Sequence, residues 1–149
     1  MRLVIQRVLK ASVQVDREIV GQCKRGYMVL VAVTHEDTHK DVAYCVEKTA
    51  GLRIFEDDEE KMNLSIQDVG GEILAVSQFT LYADTRKGKR PSFVRSARPD
   101  HAQKLYEEYV EGLRQSGIHV ETGRFGATMQ VELINDGPVT VLIDSSKLF

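Results

Sequence analysis

The most constraining feature of the sequence is an uninterrupted apolar run at residues 27–33, YMVLVAV. The run is too short for a typical buried helix and is rich in residues that favour β-strands. A strand without polar alternation is expected to be buried on both faces. We therefore predict that residues 27–33 form a central strand, with other elements covering both of its sides.

Two helical patterns and several strand patterns surround this run. Residues 38–51 carry apolar side chains at helical spacing, and a second helix is predicted from Pro99 to a C-terminal cap at Gly117. Strands are predicted at residues 3–15, 18–22, 53–55, 72–81, 118–122, 128–134 and 139–144. This order predicts one mixed α/β domain over residues 1–149, in which two helices pack between or against β-sheets in β/α/β layers.

Composition and charge narrow the class of protein. Of the 149 residues, 42% are hydrophobic and 28% are charged, as in ordinary globular domains. The formal net charge is -2, so the molecule as a whole lacks the basic field of a general nucleic-acid binder. Cys23 and Cys45 form no CxxC pair, and the sequence indicates neither a signal peptide nor a membrane-spanning run. We expect a cytoplasmic protein without membrane association.

Residues 35–39, HEDTH, match the HExxH pattern that binds zinc when both histidines lie on one face of a helix. Here the motif follows the predicted central strand and straddles the predicted start of a helix. His35 and His39 are therefore not expected to converge. A surface turn with two solvated histidines explains the same letters, so we predict no metal.

A long segment without apolar periodicity, residues 83–98, carries a cluster of cations. Its basic residues are Arg86, Lys87, Lys89, Arg90, Arg95 and Arg98, with no acidic residue between the first and the last. Loops of this length inside compact domains more often indicate a function than a simple connection. The cluster favours contact with phosphate groups, and a solubilising flexible loop is the alternative interpretation.

Two further segments are hard to explain by packing alone: residues 77–81, SQFTL, and residues 135–140, NDGPVT. Taken alone, the second segment is typical of a hairpin turn in which proline begins the next strand. Together the two segments resemble the defining motifs of the D-aminoacyl-tRNA deacylase family, an SQ-F-TL strand end and an N-x-GP-V-T turn. Family-like stretches at residues 5–8, 61–64, 90–93 and 122–126 extend the resemblance over nearly the whole chain.

The resemblance implies a homodimeric hydrolase without a cofactor, which cleaves the ester bond between a D-amino acid and its tRNA at sites on the subunit interface. It implies that the peptide bond between Gly137 and Pro138 is cis, and that this turn enters the active site of the other subunit. There its carbonyl oxygens would exclude L-amino acids. Because main-chain exclusion does not recognise a particular side chain, broad D specificity and acceptance of glycyl-tRNA are expected.

The same resemblance assigns the catalytic segment to Ser77, Gln78, Phe79 and Thr80. Main-chain amides around Phe79 and Thr80 are expected to stabilise the oxyanion formed when water attacks the ester, and the terminal adenosine is expected to bind there. A threonine hydroxyl without a nearby base is a poor nucleophile, so Thr80 is assigned a positioning role. A ribose hydroxyl of the tRNA is the alternative group that assists water. Ser77 and Gln78 are expected to order the pocket, and Phe79 to pack against substrate or the pocket wall.

Two other classes of function stay open from the sequence. One is a zinc-dependent hydrolase that uses His35, Glu36 and His39, and the other is a non-catalytic RNA-binding module. In the deacylase interpretation, Lys87 and Arg90 of the basic segment are the candidate contacts to the tRNA backbone.

Overall fold

The computed structural model describes residues 1–149, which form eight strands, two α-helices and one 3₁₀ helix. In chain order these are β1 (Arg2–Val15), β2 (Glu18–Cys23), β3 (Gly26–Ala32), α1 (His39–Gly51), β4 (Phe55–Glu56), β5 (Met62–Leu64), β6 (Glu72–Ser77), the 3₁₀ helix (Phe79–Tyr82), α2 (Pro99–Gln115), β7 (His119–Thr122) and β8 (Gln130–Asp144). Neither α-helix has the length and apolar character needed to cross a membrane.

The central strand predicted from the apolar run is β3, in which every residue except Leu30 is buried. Alternate side chains of this strand enter two hydrophobic clusters on its opposite faces. Tyr27 and Val29 belong to the larger cluster of 21 buried residues, and Met28 belongs to a second cluster of seven. Burial on both faces explains why β3 shows no polar alternation, and the prediction of a covered central strand is confirmed.

Six of the strands form one curled, mixed sheet around β1. One edge of β1 pairs antiparallel with β8 from Arg2 to Gln14. Along the other edge, β3 pairs with the first half of β1 and β2 with the second half, so β2 and β3 follow each other end to end. Parallel pairing continues from β3 to β6 and from β6 to β7, and α1 and α2 lie in the two connections, as parallel strands require.

Both helices bury their apolar faces in the larger hydrophobic cluster, α1 through Val42 and Cys45 and α2 through Leu105 and Leu113. They therefore lie on the same face of the sheet, against it rather than between two sheets. A capping box formed by Thr38 with Asp41 begins α1. The predicted mixed α/β domain with two helices is confirmed in this form.

The strand predicted at residues 72–81 is shorter than expected, because β6 ends at Ser77 and a 3₁₀ helix follows. The main-chain N–H of Gln78 still bonds to the Val31 carbonyl at 2.7 Å, but the N–H of Leu81 turns back to the Gln78 carbonyl at 3.2 Å. Apolar residues recur after this end at Phe79 and Leu81, so the sequence pattern alone does not mark it. The SQFTL segment therefore forms a strand-to-helix junction.

The two strands predicted on either side of residues 135–138 are in fact one strand, β8. Asn135 lies opposite Val8 and Thr140 lies opposite Gln6, so both halves run in the same direction along β1. Residues 136–139 have only Arg7 opposite them and bulge out of the pairing. The prediction of two separate strands is therefore corrected. The hairpin that the segment favours when taken alone is excluded, because a hairpin would reverse the direction of the chain.

Candidate active site

A cavity of about 680 Å³ opens beside the SQFTL segment. Its lining is mostly apolar and combines the ends of β3 and β6 with α2, the basic segment and the residues between β7 and β8. Representative wall residues are Val33, Phe93, Ala102, Tyr106, Phe125 and Met129. A cavity of this size and composition is typical of a site for a small molecule or a nucleoside.

Three of the four predicted catalytic residues, Ser77, Gln78 and Phe79, border this cavity, and Thr80 follows directly. The side-chain amide of Gln78 donates a hydrogen bond of 2.5 Å to the Thr80 hydroxyl oxygen. Phe79 is 57% exposed and makes an edge contact with Phe93, with 5.3 Å between ring centroids. The amides of Phe79 and Thr80 stand in the first turn of the 3₁₀ helix, where N–H groups have no carbonyl acceptor within the same helix.

The start of the 3₁₀ helix is fixed to the basic segment. The hydroxyl of Ser96 donates to the Phe79 carbonyl at 2.9 Å, and the N–H of Ala97 donates to the Val33 carbonyl at 2.9 Å. These bonds fix the main chain of Phe79 relative to the end of β3. The wall of the cavity and the 3₁₀ helix are therefore one connected structure.

The cavity offers main-chain groups and hydroxyls rather than a side-chain base. None of its lining residues is a histidine or a carboxylate. The Tyr106 hydroxyl donates to the Ala75 carbonyl at 2.9 Å, and burial raises the pKa of Tyr106, so this phenol stays protonated at neutral pH. The Thr80 hydroxyl accepts its hydrogen bond from an amide, which cannot remove a proton. This arrangement agrees with a positioning role for Thr80.

The two histidines of the HEDTH segment make separate tertiary contacts. His35 Nε2 lies 2.8 Å from the Val94 carbonyl, whereas His39 Nδ1 lies 2.6 Å from the carboxylate of Glu108. Between them, Asp37 accepts a bond from the N–H of Thr34 at 2.8 Å. No group of three or more potential metal ligands is assembled in the chain. The segment is explained by helix capping and loop anchoring, and nothing in it favours the zinc hypothesis.

Within the basic segment, residues 84–92 form a closed loop that carries four of the six cations, Arg86, Lys87, Lys89 and Arg90. Asp84 and Ser92 exchange main-chain hydrogen bonds of 2.8 and 2.9 Å, which close the loop at its base. Arg86 forms an ion pair with Asp84, and hydrogen bonds from that guanidinium hold the pKa of the Asp84 carboxyl below its usual range. Lys87 and Arg90 are exposed and form no ion pair, so both remain available to an anionic ligand.

The second motif forms an exposed, tightly braced turn. The peptide bond between Gly137 and Pro138 is cis, and both residues are exposed. The Asn135 side chain brackets the turn, accepting from the N–H of Val139 at 2.7 Å and donating to its carbonyl at 3.2 Å. Gly137 has φ of 142°, and an added Cβ would lie 2.9 Å from the Val139 nitrogen. Only glycine fits this position without strain.

A buried arginine braces the same turn from inside the sheet. Arg7 is 5% exposed, and its Nε donates to the Asp136 carbonyl at 2.9 Å while its Nη1 donates to the Ile54 carbonyl at 2.7 Å. The carboxylates of Asp136 and Glu56 lie 3.5 and 3.7 Å from the guanidinium. Because a buried charge requires hydrogen-bond partners, Arg7 fixes the carbonyl that precedes Gly137.

Within one chain the two motifs are separate. The turn lies opposite Arg7 in the middle of β1, and no residue of 135–140 lines the cavity beside the SQFTL segment. A single chain therefore presents an incomplete version of the predicted site. The predicted catalytic segment borders the cavity, and the turn predicted to exclude L-amino acids lies elsewhere, opposite the middle of β1.

The family model for D-Tyr-tRNA(Tyr) deacylase matches residues 4–144. The chain belongs to this family. It is 61% identical to the D-aminoacyl-tRNA deacylase of Bacillus pumilus over 147 residues, covering 99% of this chain and 100% of the relative. It is 59% identical to the D-aminoacyl-tRNA deacylase of Symbiobacterium thermophilum over 149 residues, covering 100% and 99% of the two chains. The family predicted from the two motifs is confirmed.

Two solved structures share the fold. A c-Myc DNA unwinding element binding protein superimposes with a TM-score of 0.90 at 40% identity, covering 97% of this chain and 98% of that one. A probable eukaryotic D-amino acid tRNA deacylase superimposes with a TM-score of 0.82 at 20% identity, covering 95% and 97%. The second likeness bears on the fold alone, because its identity is low.

The motifs of this deacylase-family chain do not reveal the residues that hold them in place. Arg7 is the clearest example, since it continues the inward alternation of Met1, Leu3 and Ile5 along β1. A charged residue at an inward-facing position indicates a buried polar network, and this signal was available in the sequence. Ser96 gave no comparable signal, because a serine in a polar loop has many ordinary explanations.

We predict that Arg7→Met destabilises the fold and loosens the Gly137 turn, because it leaves the buried carbonyl of Ile54 and the partly buried carbonyl of Asp136 without these donors. The expected loss in the free energy of unfolding is about 2 kcal/mol, measured by urea denaturation. Asp136→Asn is the matched control, since it keeps the main-chain acceptor and should cost less than about 1 kcal/mol. Equal losses in the two variants would show that the carbonyl contact is unimportant.

Proposed function

We propose that this chain hydrolyses the ester bond of D-aminoacyl-tRNA and spares the L-enantiomer. The support is membership of the deacylase family along residues 4–144, together with an apolar cavity that adjoins first-turn amides of a 3₁₀ helix. The observation that carries the chemistry is the position of Phe79 and Thr80 at this helix start. There the main chain offers hydrogen-bond donors with no acceptor in the same helix.

In the proposed reaction, water attacks the ester carbonyl carbon and a tetrahedral oxyanion forms. The amides of Phe79 and Thr80 donate to this oxyanion, a contribution of about 3 kcal/mol per donor in comparable sites. The bond from the acyl carbon to the ribose oxygen then breaks, and that oxygen takes a proton. Because the cavity has no side-chain base, a neighbouring ribose hydroxyl of the tRNA assists the attacking water.

The cavity is the proposed site for the terminal adenosine of the tRNA. Its apolar walls include the rings of Phe125 and Tyr106, which lie 5.9 Å apart between centroids. Flat aromatic and apolar walls suit a nucleobase, which binds by stacking and van der Waals contact. With the base held there, the ester at the ribose lies at the edge formed by Ser77, Gln78 and Phe79.

Chirality is proposed to be selected by the main chain of Gly137 and Pro138. The turn is exposed and braced by Asn135 and Arg7, so its carbonyl oxygens keep fixed positions. Such carbonyls exclude an L side chain by contact and by polar repulsion, without reading which D side chain is present. Glycine has no side chain to exclude, so glycyl-tRNA is proposed as a further substrate.

The turn and the cavity are proposed to meet across a homodimer interface. β8 pairs only with β1, so its outer edge is open over fifteen residues. The strand also exposes Val131, Ile134 and Leu142 to solvent, on either side of the turn. Long open edges with apolar side chains are normally covered in native proteins. A second copy that covers β8 would carry its own Gly137 turn towards the neighbouring cavity.

The basic segment is proposed to contact the tRNA backbone through Lys87 and Arg90. The same segment supplies Phe93 and Ser96 to the cavity wall, so Arg90 lies only three residues along the chain from that wall. The net charge of the whole chain is -2, and binding of the polyanion therefore depends on this local cluster.

We expect the purified protein to release D-tyrosine from tRNA at least about 100-fold faster than L-tyrosine, the ratio that exclusion worth about 3 kcal/mol provides. The measurement compares the two enantiomers on the same tRNA, with glycyl-tRNA as a third substrate. Gly137→Ala should lower the D-to-L ratio, since the added Cβ displaces the turn. Gly70→Ala is the matched control, because it also has positive φ but nothing within 4 Å. Equal release of both enantiomers would end the chiral proposal, and tight binding without release would favour the RNA-binding module.

We expect a dimer in solution, detected by light scattering over a range of concentrations. Leu142→Lys places a charge at a 54% exposed position of β8 and should lower dimer content and activity together. Met62→Lys introduces the same charge at a similarly exposed position of β5, outside the six-stranded sheet, and should change neither. A fully active monomer would contradict a site shared between two chains.

We expect Thr80→Ala to keep deacylase activity within about tenfold of the unmodified protein, the cost of one lost hydrogen bond. Thr80→Ser, which keeps the hydroxyl that accepts from Gln78, should be closer to full activity. Complete loss in the alanine variant with retained folding, and recovery in the serine variant, would reassign Thr80 as the nucleophile.

A further inference from the structure

Arg2 contacts the C-terminal end of the 3₁₀ helix, opposite the end that adjoins the cavity. Its Nη1 donates to the Leu81 carbonyl at 2.8 Å, and its Nε donates to the Asp144 carboxylate at 3.0 Å. The guanidinium carbon lies 4.6 Å from the centre of the Tyr82 ring. A guanidinium has fixed donor directions, so these contacts define both its place and its orientation.

The partners of Arg2 are themselves rigid. Asp144 is buried at the end of β8, and its second carboxylate oxygen accepts from the N–H of Ser146 at 2.8 Å. Tyr82 is 3% exposed, and burial raises the pKa of its phenol, so the ring is a fixed neutral surface for the cation. Arg2 therefore connects the start of β1, the end of β8 and the 3₁₀ helix through buried groups.

The Leu81 carbonyl belongs to the last turn of the 3₁₀ helix, where carbonyls have no donor within the helix. A cation at this end is also favoured by the direction of the peptide dipoles. At the other end, Ser96 holds the Phe79 carbonyl. The four-residue helix is thus fixed at both ends. The amide of Thr80 lies between the two attached carbonyls, and the amide of Phe79 directly precedes the first of them.

We propose that Arg2 is a positioning residue for the deacylation reaction, acting through the Leu81 carbonyl to set the amides of Phe79 and Thr80. The inference rests on the proposed function, in which these amides hold the oxyanion. Donors that stabilise a transition state must be placed within a fraction of an ångström, so a small rotation of this short helix lowers the rate. Binding of the adenosine in the cavity does not depend on the same amides.

The test compares Arg2→Met with Arg2→Lys on D-tyrosyl-tRNA. The methionine variant should lower kcat about tenfold and leave KM within about twofold, because only transition-state contacts are displaced. The lysine variant should recover part of kcat, since one ammonium can bond to the Leu81 carbonyl. The D-to-L ratio should stay unchanged in both, because the Gly137 turn is attached to Arg7 instead.

Arg114→Met is the matched control. Arg114 also donates to a main-chain carbonyl, that of Val120 at 2.9 and 3.2 Å, but it makes no hydrogen bond to the 3₁₀ helix. Its loss should lower the melting temperature without the selective fall in kcat. Thermal unfolding of all variants separates a loss of stability from a displacement of the amides. If Arg2→Met does not fold, the same measurements are made on Arg2→Lys.

Amide hydrogen exchange gives a readout that does not require activity. The N–H groups of Leu81 and Ala83 bond to the Gln78 and Thr80 carbonyls at 3.2 and 3.0 Å, so their exchange reports on the 3₁₀ helix that carries the Phe79 and Thr80 amides. Exchange at Leu81 and Ala83 should be faster in Arg2→Met than in the unmodified protein, and unchanged in Arg114→Met. If the unmodified protein is active, and Arg2→Met has the same kcat and the same exchange rates, the proposed role of Arg2 is overturned and the proposed function still stands. An inactive unmodified protein would overturn the proposed function, and the exchange rates would still decide whether Arg2 sets these amides.

Discussion

The pairing of β1 along both of its edges is the constraint on which the candidate site depends. β1 carries Arg2 near its start and Arg7 five residues later, and both donate to main-chain carbonyls outside the strand. At about 3.3 Å per residue, the two arginines are separated by roughly 17 Å along the strand. The 3₁₀ helix at one arginine and the Gly137 turn at the other are therefore held apart as two fixed points.

Main-chain groups carry both halves of the proposed chemistry, and side chains set where those groups lie. Amides of the 3₁₀ helix are the proposed donors to the oxyanion, and carbonyls of the turn are the proposed barrier to an L side chain. Neither group has a rotamer to adjust, so precision must come from the residues that hold the backbone. Arg2, Ser96, Arg7 and Asn135 supply those contacts. The cavity is proposed only to accept a nucleoside.

The sequence predicted the elements whose signals are local. The apolar run gave the central strand β3, and helical spacing gave α1 and α2 close to their observed bounds. The 3₁₀ helix was not predicted because apolar residues continue beyond β6 at Phe79 and Leu81. The continuity of β8 was missed because Gly137 and Pro138 are typical of a reversing turn. Its true course follows from pairing with β1 on both sides of the bulge, a long-range contact that no local pattern contains.

Net charge and local charge have different consequences for an RNA substrate. A chain with a formal charge of -2 has no net attraction for a polyanion, so a tRNA is not retained by overall charge alone. The exposed Lys87 and Arg90 lie on the loop that also supplies Phe93 to the cavity wall. We expect the attraction for a tRNA to be strongest at this segment. In the proposed reaction, discrimination between enantiomers then depends on the Gly137 turn and not on overall affinity.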